Sequence, residues 1–261
     1  MGASTIGGIN KLSAHEKREI YRRIIPSAVL ERFKLTPYLA DIQGHSLMHL
    51  KAASGSTSVE MSLYHKHGFR DPIFYGHLTD TMNGQLHILL YVLNDPDTPR
   101  FDVDIMPNGE ATKFGTSQRN LIAERDARDF GLAPGQIRRG LNIFSSATNT
   151  FERFVKELGH DMYFVAPLYY HNAIIFERYG FKYQTGKKLM TRIQAEFTRE
   201  SEISRKLDKE SAFRHPDAKK SIRLRSWAIH DGILGEPFSN VTMYKEIGKS
   251  AGINTAEGCS W

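Results

Sequence analysis

Apolar residues first recur at helical spacing at Ile20, Tyr21, Ile24 and Ile25, behind Ser13 and Glu16, whose separation is that of a capping box. A helix is predicted there, ended by Pro26, with a second short helix carrying Val29, Leu30 and Phe33 before Pro37. From about Leu47 to Ile105 the pattern becomes extended, and Asn83-Gly84 predicts a two-residue hairpin turn. Counting back from that turn sets Met82 opposite Gln85, Asp80 opposite His87 and Leu78 opposite Leu89. Asp95 to Pro99 form a second predicted turn, leading to a strand over Arg100–Met106. Its alternation puts Asp102 and Asp104 on one face and Phe101, Val103 and Ile105 on the other.

Residues 107–140 are irregular, with one predicted helix capped by Ser117, carrying Leu121 and Ile122 and stopped by Gly131. That stop includes Asp129-Phe130-Gly131, a kinase-like triplet without any kinase context. Ile143, Phe144, Ala147, Phe151, Phe154, Val155 and Leu158 then predict a long amphipathic helix stopped by Gly159. A buried-type strand from Met162 to Ala166, a short helix ending at Gly180 and a strand beginning at Phe181–Tyr183 complete this part. Leu189–Phe197 fits both the helical and the strand period. Beyond Thr198 the charge density predicts a solvated helix, and the last 35 or so residues read as an ordered extension wrapping the core.

Composition narrows the class. With 40% hydrophobic and 25% charged residues the chain has enough apolar surface for a sizeable core. No apolar run approaches the ~18 residues of a membrane span, and there is no N-terminal signal pattern, so a cytoplasmic protein is expected. A single cysteine, Cys259, excludes a disulfide framework and a cysteine metal site within one chain. The triplet Asn240-Val241-Thr242 is therefore discounted as a glycosylation acceptor. The net charge of +6 favours anionic partners, but the basic residues are scattered, which argues against nucleic acid.

In sequence order, helices and antiparallel strands lead to Arg138-Arg139-Gly140-Leu141-Asn142, a helix, a buried strand, and Phe176-Glu177-Arg178-Tyr179-Gly180-Phe181. Over roughly residues 47–197 this arrangement resembles the GNAT superfamily of N-acyltransferases. There a loop of type R-G-x-G/A at a helix start holds the CoA pyrophosphate, and a Tyr-Glu-Lys-x-Gly-Phe ending follows. The physical basis is the exposed N–H groups and dipole of a helix N-terminus. Three departures stand out: Asn142 for Gly or Ala; Phe176 for the Tyr that protonates the thiolate, with Tyr169 for an Asn that commonly contacts the cofactor; and residues 107–138 inserted before the loop. Arg100-Phe101-Asp102-Val103 followed by an insertion is similar to the acyl-homoserine lactone and N-acyl amino acid synthases within that superfamily.

The resemblance implies an α/β (α+β) fold with a mixed, mostly antiparallel central sheet flanked by helices. Its expected organisation is an N-terminal helical segment (1–46), a core (47–197, insertion 107–138) and a C-terminal extension (198–261). It also implies transfer from acetyl-CoA or a longer acyl-CoA, or from acyl carrier protein, to a small-molecule amine; a homodimer stays open. The cofactor contacts expected are Ile105, Met106, Arg138, Arg139, Gly140, Leu141, Asn142, Tyr169, Asn172 and Phe176. Amide formation needs a base and often an acid for the thiolate, for which Asp102 or Asp104 and Tyr170 or Tyr179 (with Tyr169) are the candidates. Two alternatives are a non-catalytic CoA- or ligand-binding module on the same fold and a metalloenzyme. The latter would use His65-x-His67 on one strand face, a third ligand from His77, His87 or His171, and Asp80 or Asp231.

Overall fold

The computed structural model describes residues 3–261. In chain order its elements are helices α1 (Ile6–Ile9), α2 (Ala14–Tyr21) and α3 (Ser27–Arg32), then strands β1 (Met48–Lys51), β2 (Ser58–Leu63), β3 (Phe74–Asp80) and β4 (Leu86–Leu93). Helices α4 (Leu121–Asp129) and α5 (Phe144–Glu157), strand β5 (Met162–Val165), helix α6 (Tyr170–Arg178) and strand β6 (Lys182–Thr185) follow. Helices α7 (Lys187–Thr198), α8 (Glu202–Arg205) and α9 (Ile222–His230) and strand β7 (Thr242–Glu246) complete the chain. The strands form one mixed, mostly antiparallel sheet in the order β1-β2-β3-β4-β5-β7-β6. The fold class is thus the one expected. Strand β7 comes from the stretch read as a wrapping extension and is an inner strand of the sheet.

The chain divides into two units. One holds the residues up to Asp97 with Gly140–Ala166 and Tyr244–Lys249; the other holds Thr98–Arg139, Pro167–Met243 and Ser250–Trp261. In the first unit the predicted capping box of α2 is present in both directions, Ser13 to Glu16 and back. Pro26 lies before α3, as its missing N–H requires. Strand β2 shows why alternation reads as a strand: Val59, Met61 and Leu63 are buried while Ser58, Glu60 and Ser62 are half-buried.

The hairpin between β3 and β4 exists in a different register. Asp80 faces Leu86, Thr79 faces His87 and Leu78 faces Ile88, one position off the predicted pairing. The cause is the turn. A two-residue I′ turn needs positive φ at both central residues, whereas here Gly84 is left-handed (φ 72°) and Asn83 is not. Thr81 N–H donates to Gln85 O at 2.7 Å, so Met82, Asn83 and Gly84 make a three-residue loop.

In the second unit the strand predicted over Arg100–Met106 is absent. Val103 is buried with Ala127, Leu132 and Ile137, and Phe101 packs on the same cluster, so the alternation reflected true burial. Arg100, however, draws both Asp102 and Asp104 onto its guanidinium, and a turn from Asp102 to Ile105 replaces the extended backbone. Helix α4 is capped by Asn120, which accepts from Ala123 N–H, and not by Ser117; Gly131 follows its end at φ 96°. Leu189–Phe197 lies in helix α7. The charged stretch after Thr198 is mostly non-helical, because Arg199 is extended and only the four residues of α8 are helical.

Candidate functional site

In the first unit β4 is the strand that matters. Against β3 it carries a bulge: His77 faces Leu90 and Leu78 faces Ile88, which leaves Leu89 without a register partner. On its other edge β4 runs parallel to β5, with only two register pairs, His87 with Phe164 and Ile88 with Val165. A last bond runs from Ala166 N–H to Ile88 O at 3.3 Å. From Leu89 to Leu93 the edge has no β5 ladder partner. Leu89 is accordingly 38% exposed although it sits in mid-strand.

The end of that edge leads to the Gly-rich loop. Asn94 forms an antiparallel bridge with Gly140 and is fixed from its other side by bonds to Ile73 O (3.0 Å) and Pro72 O (2.9 Å). Gly140 passes close enough that an added Cβ would lie 3.4 Å from Leu93 O. Leu141 is buried and anchors the loop. Asn142 has φ 56°, a backbone that asparagine adopts more readily than other non-glycine residues, so the loop keeps a glycine-type path with a side chain that can donate. Helix α5 then begins with no side-chain cap among the described residues. An open strand edge accepts an extended amide-bearing chain by ladder bonds, and an uncapped helix start accepts an anion.

Two polar side chains interrupt the otherwise aliphatic β4. His87 Nε2 and Tyr91 Oη are buried and have no hydrogen-bond partner among the described residues. Burial lowers the His87 pKa, which holds the imidazole neutral with a lone pair available. Burial raises that of Tyr91 and keeps the phenol protonated. The His87 ring faces Phe164 edge-on at 6.4 Å, and Tyr91 stands edge-on to Phe74 at 5.1 Å.

The residues nominated from sequence fall in several places. Gly140, Leu141 and Asn142 lie in the loop just described. Ile105 and Met106 sit in a turn closed by Met106 N–H to Glu110 O at 2.8 Å and are not on a sheet strand. Asp102 and Asp104 are bound to Arg100. Arg138 bonds to Thr98 O, and the Arg139 guanidinium lies 4.5 Å over the Phe130 ring. Phe176 packs on Phe181 at 5.0 Å. Tyr170 is buried, its pKa raised by that burial to about 12, and accepts from Arg225 at 3.0 Å. Tyr179 is the C-cap of α6. Tyr169 bonds to Phe114 O, and Asn172 caps the start of α6 through Tyr169 N–H at 3.2 Å. His65 and His67 are not on a strand, since β2 ends at Leu63, and they part company: His65 packs on Phe33 and Phe69, His67 on His45.

The second unit contains a buried polar cluster that sequence reading missed. Glu124 on α4 and His230 at the end of α9 meet at 2.9 Å, both nearly inaccessible. Arg119 joins Glu124 (2.6 Å) to Asp231 (2.9 Å), and Arg214 holds Asp231 from another side at 3.0 Å. Burial pushes the Glu124 carboxyl up, but hydrogen bonds from His230 and Arg119 outweigh it and hold it below the usual range. Beside it His171 Nδ1 is 2.9 Å from Ser226 Oγ, and burial, helped by His230, pulls its pKa down to about 3. Gly115 makes room, since an added Cβ would lie 2.7 Å from Glu124 Oε1. No local pattern could reveal pairs more than a hundred positions apart, whereas His87 and Tyr91 are legible as polar breaks in Leu86–Leu93.

No family model, curated protein or solved structure matches this chain. Among the described residues no helix is long and apolar enough to cross a membrane.

Proposed function

We propose that the chain is an N-acyltransferase of the GNAT type, moving an acyl group from acyl-CoA or acyl carrier protein to the amine of a small molecule. The observation that carries this reading is the ending of the β4–β5 ladder at Ile88, which leaves Leu89–Leu93 open on an edge that leads to Gly140 and the uncapped start of α5. The pantetheine arm, with two amides, adds to that edge as an extended strand. The pyrophosphate of CoA takes the loop at Gly140–Asn142 and the first turn of α5. In this reading Leu89–Leu93, and not Ile105 and Met106, contact the pantetheine arm, and His87, in place of Asp102 or Asp104, is the base.

At the bulge, backbone N–H groups released from the ladder polarise the thioester carbonyl. The amine nitrogen attacks the carbonyl carbon, the C–N bond forms and the C–S bond breaks. Neutral His87 Nε2 takes the proton lost by the amine, and Tyr91 Oη–H donates a hydrogen bond to the departing sulfur. The test is thiol release from acetyl-CoA and longer acyl-CoAs with a panel of amines. Amine-dependent release that falls by about a hundredfold or more in His87→Gln is the expected result. Binding of acyl-CoA without any amine-dependent thiol would make the chain a ligand-binding module instead.

A further inference from the structure

In the first unit, away from β4, a second group of side chains converges on the surface. Asp41, His45 and His67 each bring one potential ligand atom, and these atoms all lie within 4.8 Å of one another. Among the described residues it is the one group of three with this property. Asp41 and His45 sit in a tight turn. Asp41 N–H donates to His45 O and Gly44 N–H donates to Asp41 O, both at 3.0 Å, with Gly44 at φ 86°, and the flanking Ala40 and Ser46 close it as a bridge. His67 arrives from the loop between β2 and β3, and its ring stacks on that of His45 at 4.3 Å and 17°.

We propose that Asp41, His45 and His67 bind a divalent cation of the zinc class, leaving at least one coordination position open. The two carboxylate oxygens of Asp41 are already divided in the manner a ligand needs. Oδ1 accepts from the backbone N–H of Gln43 (2.9 Å) and of His45 (2.8 Å), which fixes the group and leaves Oδ2 facing His45 Nδ1 at 2.9 Å. Two imidazoles and one carboxylate suit zinc and its neighbours, and not magnesium or calcium, which take mainly oxygen ligands. Zinc–ligand bonds of about 2.0–2.2 Å set ligand atoms roughly 3.3 Å apart in a tetrahedron, closer than the 4.8 Å within which the three atoms now lie, so the partly exposed side chains would have to rotate to close on the ion. The cation would replace the proton shared by Asp41 and His45 and tie the turn to the loop of His67. This site is independent of the acyl-transfer reading.

The test is calorimetric titration of the metal-free full chain with zinc ion alone, repeated with cobalt(II), whose visible absorption reports nitrogen ligation and a low coordination number. The expected result is one ion per chain, weakened about tenfold or more by His67→Ala and by Asp41→Asn. His215→Ala serves as the control, because His215 and Asp217 form a similar pair at 3.4 Å without a second imidazole, and it should leave binding unchanged. Circular dichroism verifies that the surface variants stay folded. Absence of saturable binding, or binding that survives in His67→Ala, would overturn the proposal.

Discussion

Asn94 and Gly140 pair as neighbours in an antiparallel bridge with residues 95–139 looping out between them. The end of β4 therefore meets the Gly-rich loop directly in space. The insertion that separated strand from loop in the sequence is an excursion from this point, and the strand feeding the loop is Leu86–Leu93, not Arg100–Met106.

Tyr91→Phe separates fold from chemistry. The buried phenol has no hydrogen-bond partner among the described residues, so removing it should leave stability unchanged or raise it, by up to about 1–3 kcal/mol, the usual cost of an unsatisfied buried group. Thiol release should nonetheless slow. A loss of stability on urea unfolding would show that the hydroxyl is used by the fold.

Removing one member of the buried cluster should be costly. Glu124→Ala leaves His230 and Arg119 without their shared carboxylate and is expected to destabilise by about 3–5 kcal/mol. Gly115→Ala should cost roughly 1–3 kcal/mol, since it forces a Cβ onto Glu124 and a side chain into φ 82°. Denaturant midpoints within experimental error of the parent would contradict the arrangement.

His171 predicts a pH dependence with a definite sign. Its folded pKa of about 3 lies below the ordinary histidine value of 6.5, so between these values the unfolded chain binds a proton that the folded chain refuses. The contribution is full above pH 6.5 and falls as pH drops toward 3, by about 1.4 kcal/mol per unit. Glu124, whose folded pKa is lowered from 4.5, adds a loss at still lower pH. Unfolding free energies of the parent and His171→Asn, compared from pH 7 to pH 5, should converge by about that slope; parallel curves would place the imidazole in water.

Much of the fold was legible because local signals and tertiary packing agreed. Ser13 with Glu16 and Gly159 bounded elements where the structure bounds them, whereas the helix expected to run to Pro26 is α-helical only to Tyr21 and continues as a 3-10 turn over Arg22–Ile24. The failures came where the backbone departed from the local pattern. Arg100 pairs with both Asp102 and Asp104 where a strand was expected, and Asn83 lacks the positive φ that a two-residue I′ turn needs, which goes with a hairpin shifted by one residue. Of the candidate site, Gly140–Asn142 stand out in the sequence as a motif, but the open edge of β4 depends on where β5 stops, and the Glu124–His230 pair on packing between distant helices; neither leaves a trace in spacing.

The edge of β4 and the start of α5 are proposed to hold an acyl thioester of CoA. Titration calorimetry of acetyl-CoA into the parent, Gly140→Ala and Gly140→Glu tests it most directly. The alanine variant adds a Cβ only 3.4 Å from Leu93 O and should still bind, whereas the glutamate sets a negative charge where the pyrophosphate would lie and should abolish the heat of binding while the protein stays folded. No binding by the parent, or equal binding by parent and Gly140→Glu, would contradict the account.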